Sequence, residues 1–181
     1  MGPAAEPRSV KLLMSLISAD DRLTSEVVGA LAKRYGEIDF ESEPLPFDFT
    51  SYYTPEMGAG LFRRLVTFGP LIPRESLVRI KGETNELEAT FAVDGKRRIN
   101  IDPGYISAEH LILATTKGYT HRPYLGEGIY ADLTLIYRAG EFHPLEWTYP
   151  DYASHEIRQI LAEIRRRYLS GISKGEKEGA R

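Results

Sequence analysis

The sequence predicts an α+β domain in which a largely antiparallel sheet is covered by helices on one face. Strand-like and helix-like segments occur in the order strand, helix, strand, strand, helix, strand, and further strands and a last helix follow. The first six form the βαββαβ pattern of ferredoxin-like folds, to which a C-terminal hairpin and helix are added. Hairpin signals in the second half favour antiparallel neighbours.

Apolar spacing predicts the first four elements. The short apolar run at 10–17 is typical of a buried strand. A helical stripe follows it and ends at Gly36, a residue type that favours a helix C-cap. Apolar and acidic residues alternate at 37–43, which predicts a strand with one wet face, and the run LFRRLVTF at 61–68 predicts another. The helical stripe consists of Leu23, Val27, Val28, Leu31, Ala32 and Tyr35.

Turn signals bound the later elements. Residues 97–102 predict a strand that ends at a turn made by Pro103-Gly104. Residues 107–116 fit a helical turn or a strand, and we favour a turn followed by a strand. Alternation over 128–138 predicts a strand, which Ala139-Gly140 joins to a hairpin partner. The two remaining helices have the stripes Leu77, Ile80, Thr84, Leu87 and Phe91, and Ile157, Ile160, Leu161, Ile164 and Tyr168.

Length and composition predict one domain at residues 10–170, between a disordered lead at 1–9 and a disordered tail at 171–181. The absence of cysteine excludes a disulfide scaffold, a thiolate metal site and a cysteine nucleophile. A formal net charge of −3 argues against a dedicated nucleic-acid binder. No apolar run is long enough to cross a bilayer, and the first ten residues lack the apolar core of a secretory signal. We therefore expect a soluble, cytoplasmic protein that does not bind membranes, and the sequence does not indicate its oligomeric state.

Several common functional motifs are absent. The chain has no P-loop, no glycine-rich dinucleotide motif after a strand, no HExxH and no GxSxG. Its four histidines lack the spacing of metal ligands, so we predict no metal cluster.

The segment at 115–130 (TTKGYTHRPYLGEGIY) is the strongest candidate for a binding site. It combines the cations Lys117 and Arg122 with His121, the hydroxyl of Thr116 and the ring of Tyr124. Fixed cations with nearby N–H and O–H donors are what a phosphate or carboxylate requires. The alternative is a solvated connecting loop whose charges pair with nearby acids.

Asn100 and Asp102 form a second candidate, because residues two apart on a strand share one face. The pair would hold Mg²⁺ through oxygen, or act as a base and its orienting residue. In the alternative, Asp102 only caps the predicted Pro103-Gly104 turn.

An aromatic stretch provides the third candidate. Asp48 lies between Phe47 and Phe49, and Tyr52 and Tyr53 follow. A carboxyl held against apolar surface would have a raised pKa, which suits acid–base chemistry, and the tyrosines would stack on a ring. The alternative is an aromatic loop that covers the core. The candidate catalytic residues are thus Asp48, Asp102 and His121.

Three other polar features have mainly structural interpretations. The second helix carries one polar edge, made of Lys81, Thr84, Asn85 and Glu88, which fits a wet face better than a cleft wall. The segment 147–152 resembles a strap that anchors the last helix, with Asp151 or Ser154 as its cap. The arginines at 165–167 fit the C-terminal end of a helix, where the dipole favours cations.

Long phrases of this sequence resemble one known family. They are PFDFTSYYTPEMG, TNELE, INIDPGY, LATTKGYTHRPYLGEGIYA and WTYPDY, in this order. They resemble the domain-of-unknown-function family 4416 over about Val10 to Tyr168. The resemblance implies a prokaryotic, single-domain protein and supplies no established activity. Some members have a GTP-binding label, which this chain does not support because it lacks a P-loop.

Three hypotheses on function follow. The first is a small enzyme or binder of a phosphorylated or otherwise anionic small molecule, such as a nucleotide, held by Lys117 and Arg122. The second is a protein-interaction module whose aromatic loops, around Tyr52 and Trp147, form the partner surface. The third is RNA binding through the basic end of the last helix. The first requires that the lysine-histidine-arginine segment and the two aspartates line a common hollow.

Overall fold

The computed structural model describes the backbone of residues 2–179 and the side chains of residues 2–173. Within that part of the chain, nine strands form one sheet and five helices surround it. The elements are β1 Val10–Ser18, α1 Asp21–Tyr35, β2 Ile38–Glu41, β3 Leu45–Pro46, α2 Thr54–Met57, β4 Phe62–Ile72, α3 Ser76–Thr90, β5 Ile99–Ile106, β6 His110–Thr115, β7 Tyr124–Gly126, β8 Ile129–Arg138, β9 Glu141–Pro144, α4 Pro150–Ala153 and α5 His155–Gly179. The predicted α+β class is confirmed.

The strand order is β2-β4-β1-β5-β6-β8-β7, and every paired strand is antiparallel to its neighbour. The first four strands of this order, with α1 and α3, are the βαββαβ arrangement that the sequence predicts. The strands β6, β8 and β7 extend the sheet beyond β5, while β3 pairs with β4 and β9 pairs with β8. The predicted hairpin after β8 forms through Ala139 and Gly140, both of which have positive φ.

The two faces of the sheet are covered by different helices. On β1, Leu12, Met14 and Leu16 belong to one core cluster with α1 and α3. Leu13 points the opposite way and packs in a second cluster with Leu161 of α5. The expected helices on one face are therefore α1 and α3, and α5 covers the other face. This explains why every residue of β1 is buried.

The predicted turn at Pro103-Gly104 is wrong, because both residues lie inside β5. The ladder between β5 and β6 begins at Gly104, so β5 has no neighbour on one side at Pro103 and a missing N–H is tolerated there. At Gly104 a Cβ atom would meet the carbonyl oxygen of Ile112 at 2.4 Å. Proline and glycine thus allow this strand to pass from an edge to an interior position.

The residues before β1 contact the last helix, α5. Residues 2–9 form no helix or strand, but the Tyr168 hydroxyl donates to the carbonyl oxygen of Ser9 at 2.7 Å. The helix continues through 171–179, which composition assigns to a tail. Met1, Ala180 and Arg181 lie outside the described residues. Among the described helices, none has the length and apolar character needed to cross a membrane.

Candidate functional site

A cavity of about 480 Å³ opens at one end of the sheet. Its walls come from the loop after β3, from β4, α3 and β5, and from the segment after β6 together with α4. The volume lies in the usual range of small-molecule sites, about 300–1,000 Å³. Its titratable lining residues are Tyr52, Tyr53, Arg63, Lys81, Glu88, Arg97, Asp102, Lys117, Arg122, Tyr149, Asp151 and Tyr152.

Strand register brings distant parts of the sequence to this cavity. Arg63 of β4 and Asn100 of β5 both lie opposite Ile17 of β1, so they are two strand spacings, about 10 Å, apart. On the far side of β5, β6 ends at Thr115 and leads directly into the cation-rich segment.

Seven of the ten predicted site residues line this cavity. They are Tyr52, Tyr53, Asn100, Asp102, Thr116, Lys117 and Arg122. The other three, Asp48, His121 and Tyr124, do not line it. The expected hollow therefore contains the lysine, the arginine and one of the two aspartates.

The three remaining residues have other surroundings. Asp48 is exposed, although its neighbours Phe47 and Phe49 line the cavity. The His121 ring stacks on Trp147 at 4.8 Å, and its Nε2 lies 3.6 Å from Asp132 Oδ2. Tyr124 is 61% exposed, and its hydroxyl accepts a hydrogen bond from the backbone N–H of Gly128.

Asp102 is held by donors on both carboxylate oxygens. Asn100 Nδ2 donates to Oδ2 at 2.7 Å, and Lys81 Nζ donates to Oδ1 at 3.3 Å. Arg97 Nη1 in turn donates to Asn100 Oδ1 at 2.9 Å. Asp102 lies within β5, so it does not cap a turn as the alternative supposed. Lys81 is thus the cation that lies beside this carboxylate.

The polar edge of α3 is a wall of the cavity and not a wet face. Lys81 and Glu88 are each 6% exposed, and both line the cavity. Lys81 Nζ donates to the carbonyl oxygen of Ile101, and the Ile101 N–H donates to Glu88 Oε1 at 2.6 Å. These two side chains satisfy β5 where β6 does not yet pair with it. Burial raises the pKa of Glu88.

Arg122 connects two segments of the site. Its Nε donates to Asp132 Oδ2 at 2.8 Å, its Nη1 to the carbonyl oxygen of Lys117 and its Nη2 to the Tyr149 hydroxyl. Each of the three nitrogens thus has one partner, so Arg122 positions the loop, and it also lines the cavity as predicted for a ligand-binding residue. Lys117 Nζ donates to the Tyr52 hydroxyl at 2.8 Å, and this hydrogen bond lowers the pKa of Tyr52.

Arg63 lines the cavity although sequence reasoning did not single it out, and Asp151 and Tyr152 line it although the sequence predicts a structural role for their segment. The Arg63 guanidinium is 4% exposed, and its Nη2 lies 2.5 Å from Asp151 Oδ2. Its Cζ lies 4.9 Å from the Phe47 ring centre and 4.5 Å from that of Tyr152. Arg63 Nε and Nη1 have no hydrogen-bond partner among the described residues. Burial raises the pKa of Tyr152 to about 12, so this hydroxyl stays protonated.

The segment 147–152 contacts both the sheet and the last helix. Trp147 Nε1 donates to the carbonyl oxygen of Leu133 in β8 at 2.8 Å, and Tyr152 packs in one core cluster with Ile157 and Leu161 of α5. The Ser154 hydroxyl accepts from the N–H of Ile157 in the first turn of α5, while Asp151 turns toward Arg63. Of the two predicted caps, Ser154 is the one that caps this helix.

The basic end of α5 is largely paired. Arg165 Nε donates to the carbonyl oxygen of Ala108, and its Cζ lies 3.4 Å from the centre of the Tyr137 ring. Arg166 and Arg167 both contact Glu163. These contacts leave less free positive charge at residues 165–167 than the sequence suggests.

A sequence comparison identifies the family. The model of the family described as Domain of unknown function (DUF4416) matches residues 8–168. The chain belongs to this family. The match spans every strand and every residue that lines the cavity, so the site lies within the DUF4416 domain. No curated protein and no solved structure matches the chain.

Proposed function

We propose that the cavity binds a small molecule that carries a planar ring and an anionic group, a carboxylate or a phosphate. The observation that carries this proposal is Arg63, a buried guanidinium with two nitrogens that lack partners. A buried donor without a partner costs about 1–3 kcal/mol. Acceptor oxygens of a ligand would recover that cost.

The surroundings of Arg63 keep its donors in one orientation. Its guanidinium lies between the rings of Phe47 and Tyr152, which restricts rotation of the plane. Asp151 holds Nη2 at one edge and leaves Nε and Nη1 for other acceptors. Donors fixed in advance bind a ligand with a smaller entropic loss.

The mouth of the cavity supplies surfaces for a ring and one more cation. The rings of Phe49, Tyr52 and Tyr149 line it and are 49–58% exposed. Aromatic faces of this kind stack on planar ligands. Lys117, beside Tyr52, adds positive charge at the entrance. A ligand would thus place its anionic group inward and its ring toward solvent.

Of the three predicted catalytic residues, Asp102 is the one that this ligand would meet. Its carboxylate lines the cavity and is oriented by Lys81 and Asn100. Any proton transfer in the bound molecule would therefore use Asp102 as the base. The setting is the cytoplasm, as the composition of the sequence predicts, of a prokaryotic cell, as the family resemblance implies.

Calorimetric titration with ring-bearing carboxylates and phosphates, nucleotides included, tests the proposal. Arg63→Lys keeps a positive charge for Asp151 and removes the planar fork. Arg64→Lys is the matched control, because Arg64 points to the opposite face and pairs with Asp21 and Glu41. We expect Arg63→Lys to weaken binding at least about tenfold and Arg64→Lys to leave it unchanged. A ligand that binds both variants as tightly as wild type would remove this cavity as the site.

A further inference from the structure

We infer that the anionic group is a singly charged carboxylate and not a doubly charged phosphate. This inference rests on the proposed function and follows from the charge balance of one part of the lining, which we call the inner wall. The inner wall consists of Arg63, Lys81, Glu88, Arg97, Asp102 and Asp151. The cavity can supply several hydrogen-bond donors there, but little positive charge that is not already neutralised.

Each cation of the inner wall has a carboxylate partner. Arg63 pairs with Asp151 at 2.5 Å, and Lys81 lies 3.3 Å from Asp102.

The charge of Arg97 is neutralised by Glu56, which does not line the cavity. Its Nε and Nη2 donate to the two carboxylate oxygens of Glu56 at 2.9 and 2.8 Å. The hydrogen bonds from Arg97 lower the pKa of Glu56 to about 2, so this partner stays charged. The three cations of the inner wall are thus balanced by three carboxylates.

Glu88 adds a fourth acid to this wall. Its Oε2 lies 3.6 Å from Arg97 Nη1, and its side chain is buried. A phosphate dianion would therefore approach Asp102, Asp151 and Glu88 without a cation in surplus. At an effective dielectric constant of about 20, like charges that lie 4 Å apart repel strongly enough to change affinity by orders of magnitude.

Two further cations line the cavity, Lys117 and Arg122, and Arg122 pairs with Asp132 at 2.8 Å. Lys117 is exposed, and among the described side chains no carboxylate lies within ion-pair distance of it. Its field at the inner wall is weakened by solvent and salt. The inner wall instead offers two nitrogens without partners, Nε and Nη1 of Arg63, which suit the two oxygens of a carboxylate.

A pair of probes with the same ring separates the two anions. Calorimetry would compare 1-naphthoate with 1-naphthyl phosphate on the full chain at about pH 8, where the phosphate carries two charges. We expect naphthoate to bind at least about tenfold more tightly. Lowering the pH to about 5.5 removes one charge from the phosphate, since its second pKa is about 6. The affinity of naphthyl phosphate should then rise. Naphthoate keeps the same charge over this pH range, so its affinity should stay constant, and it serves as the control for titration of the protein itself.

A variant tests the same balance from the side of the protein. Asp102→Asn removes one negative charge from the wall, and we expect it to raise the affinity for naphthyl phosphate relative to naphthoate by about tenfold. Glu163→Gln removes a carboxylate far from the cavity and should leave this ratio unchanged. If Asp102→Asn does not fold, the pH comparison on wild type decides the question alone.

The outcomes distinguish this inference from the proposed function. Naphthyl phosphate that binds as tightly as naphthoate at about pH 8, in an Arg63-dependent way, overturns the carboxylate assignment and leaves the proposed site intact. Absence of Arg63-dependent binding for both probes overturns the proposed function, and the inference with it.

Discussion

Arg63 and Asp151 form an ion pair that is almost completely withdrawn from water, with side chains 4% and 8% exposed. Such a pair adds little net stability, but removal of one partner leaves a buried charge without compensation. Asp151 Oδ1 also accepts the backbone N–H of Tyr152 at 2.9 Å. The amide of an asparagine would keep that second bond and lose the charge.

We therefore expect Asp151→Asn to lower the free energy of unfolding by about 3–5 kcal/mol, measured by urea denaturation near neutral pH. Glu163→Gln is the matched control, because Glu163 pairs with Arg166 and Arg167 on the surface. It should cost less than about 1 kcal/mol. Equal, small losses in both variants would show that Arg63 finds enough solvent or another partner.

At single positions, sequence patterns located part of the site. The spacing of Asn100 and Asp102 correctly gave two side chains that hydrogen-bond on one strand face. His121 lies in the cation-rich segment but stacks outside the cavity on Trp147, which sequence proximity cannot show. The sequence does contain a signal for Arg63, because two adjacent arginines lie within the predicted strand LFRRLVTF. Adjacent residues of a strand point to opposite faces, so two neighbouring arginines in an apolar strand cannot both lie on one wet face.

The short helix α2 contacts the segment just before β5 through Glu56 and Arg97. Glu56 accepts hydrogen bonds from the Arg97 side chain and also from the Arg97 backbone N–H at 3.0 Å. This pair connects the aromatic loop, which supplies Phe49 and Tyr52, to the wall of the cavity. The position of that loop beside the cavity thus depends partly on a charge.

The pH dependence of this anchor has a definite sign. The folded-state pKa of Glu56 is about 2, below its ordinary value of 4.5, so its contribution is present above pH 4.5 and is lost as pH falls toward 2. Glu56→Gln should be less stable than wild type at neutral pH by about 1 kcal/mol, a value reduced for its partial exposure. The difference should shrink as urea denaturation is repeated at lower pH. Hydrogen exchange should rise in α2 but not in α3. A difference that stays constant with pH would contradict this account.

At the level of elements, the sequence predicts the order of strands and helices but not how sheet edges are satisfied. Pro103-Gly104 predicts a turn when this segment is considered alone. In the structure the two residues lie in β5, at the point where β6 begins to pair with it. The polar edge of α3 looks like a solvent face, and it instead replaces β6 as the partner of Ile101. Both errors arise because local patterns do not reveal which strand lies beside β5.

The whole molecule joins a four-stranded ferredoxin-like half to a C-terminal extension, and the cavity lies at their boundary. The first half supplies Arg63, Lys81 and Asp102, and the extension supplies Lys117 and Tyr152. The βαββαβ pattern was predictable because it depends on periodicity within short segments. The cavity was only partly predictable, because it depends on how the extension packs against the first half.

A site on this boundary requires that the two halves fold as one unit. Leu31 of α1 is 1% exposed in the core cluster of the first half, while Trp147, the one tryptophan of the chain, lies in the extension. We expect Leu31→Ala to lower the free energy of unfolding by about 2–5 kcal/mol. The urea transitions followed by Trp147 fluorescence and by far-ultraviolet circular dichroism should shift together and stay superimposed. A fluorescence transition that stays at the wild-type midpoint would show that the extension unfolds independently, and the cavity would then lack the rigid boundary that its preformed donors require.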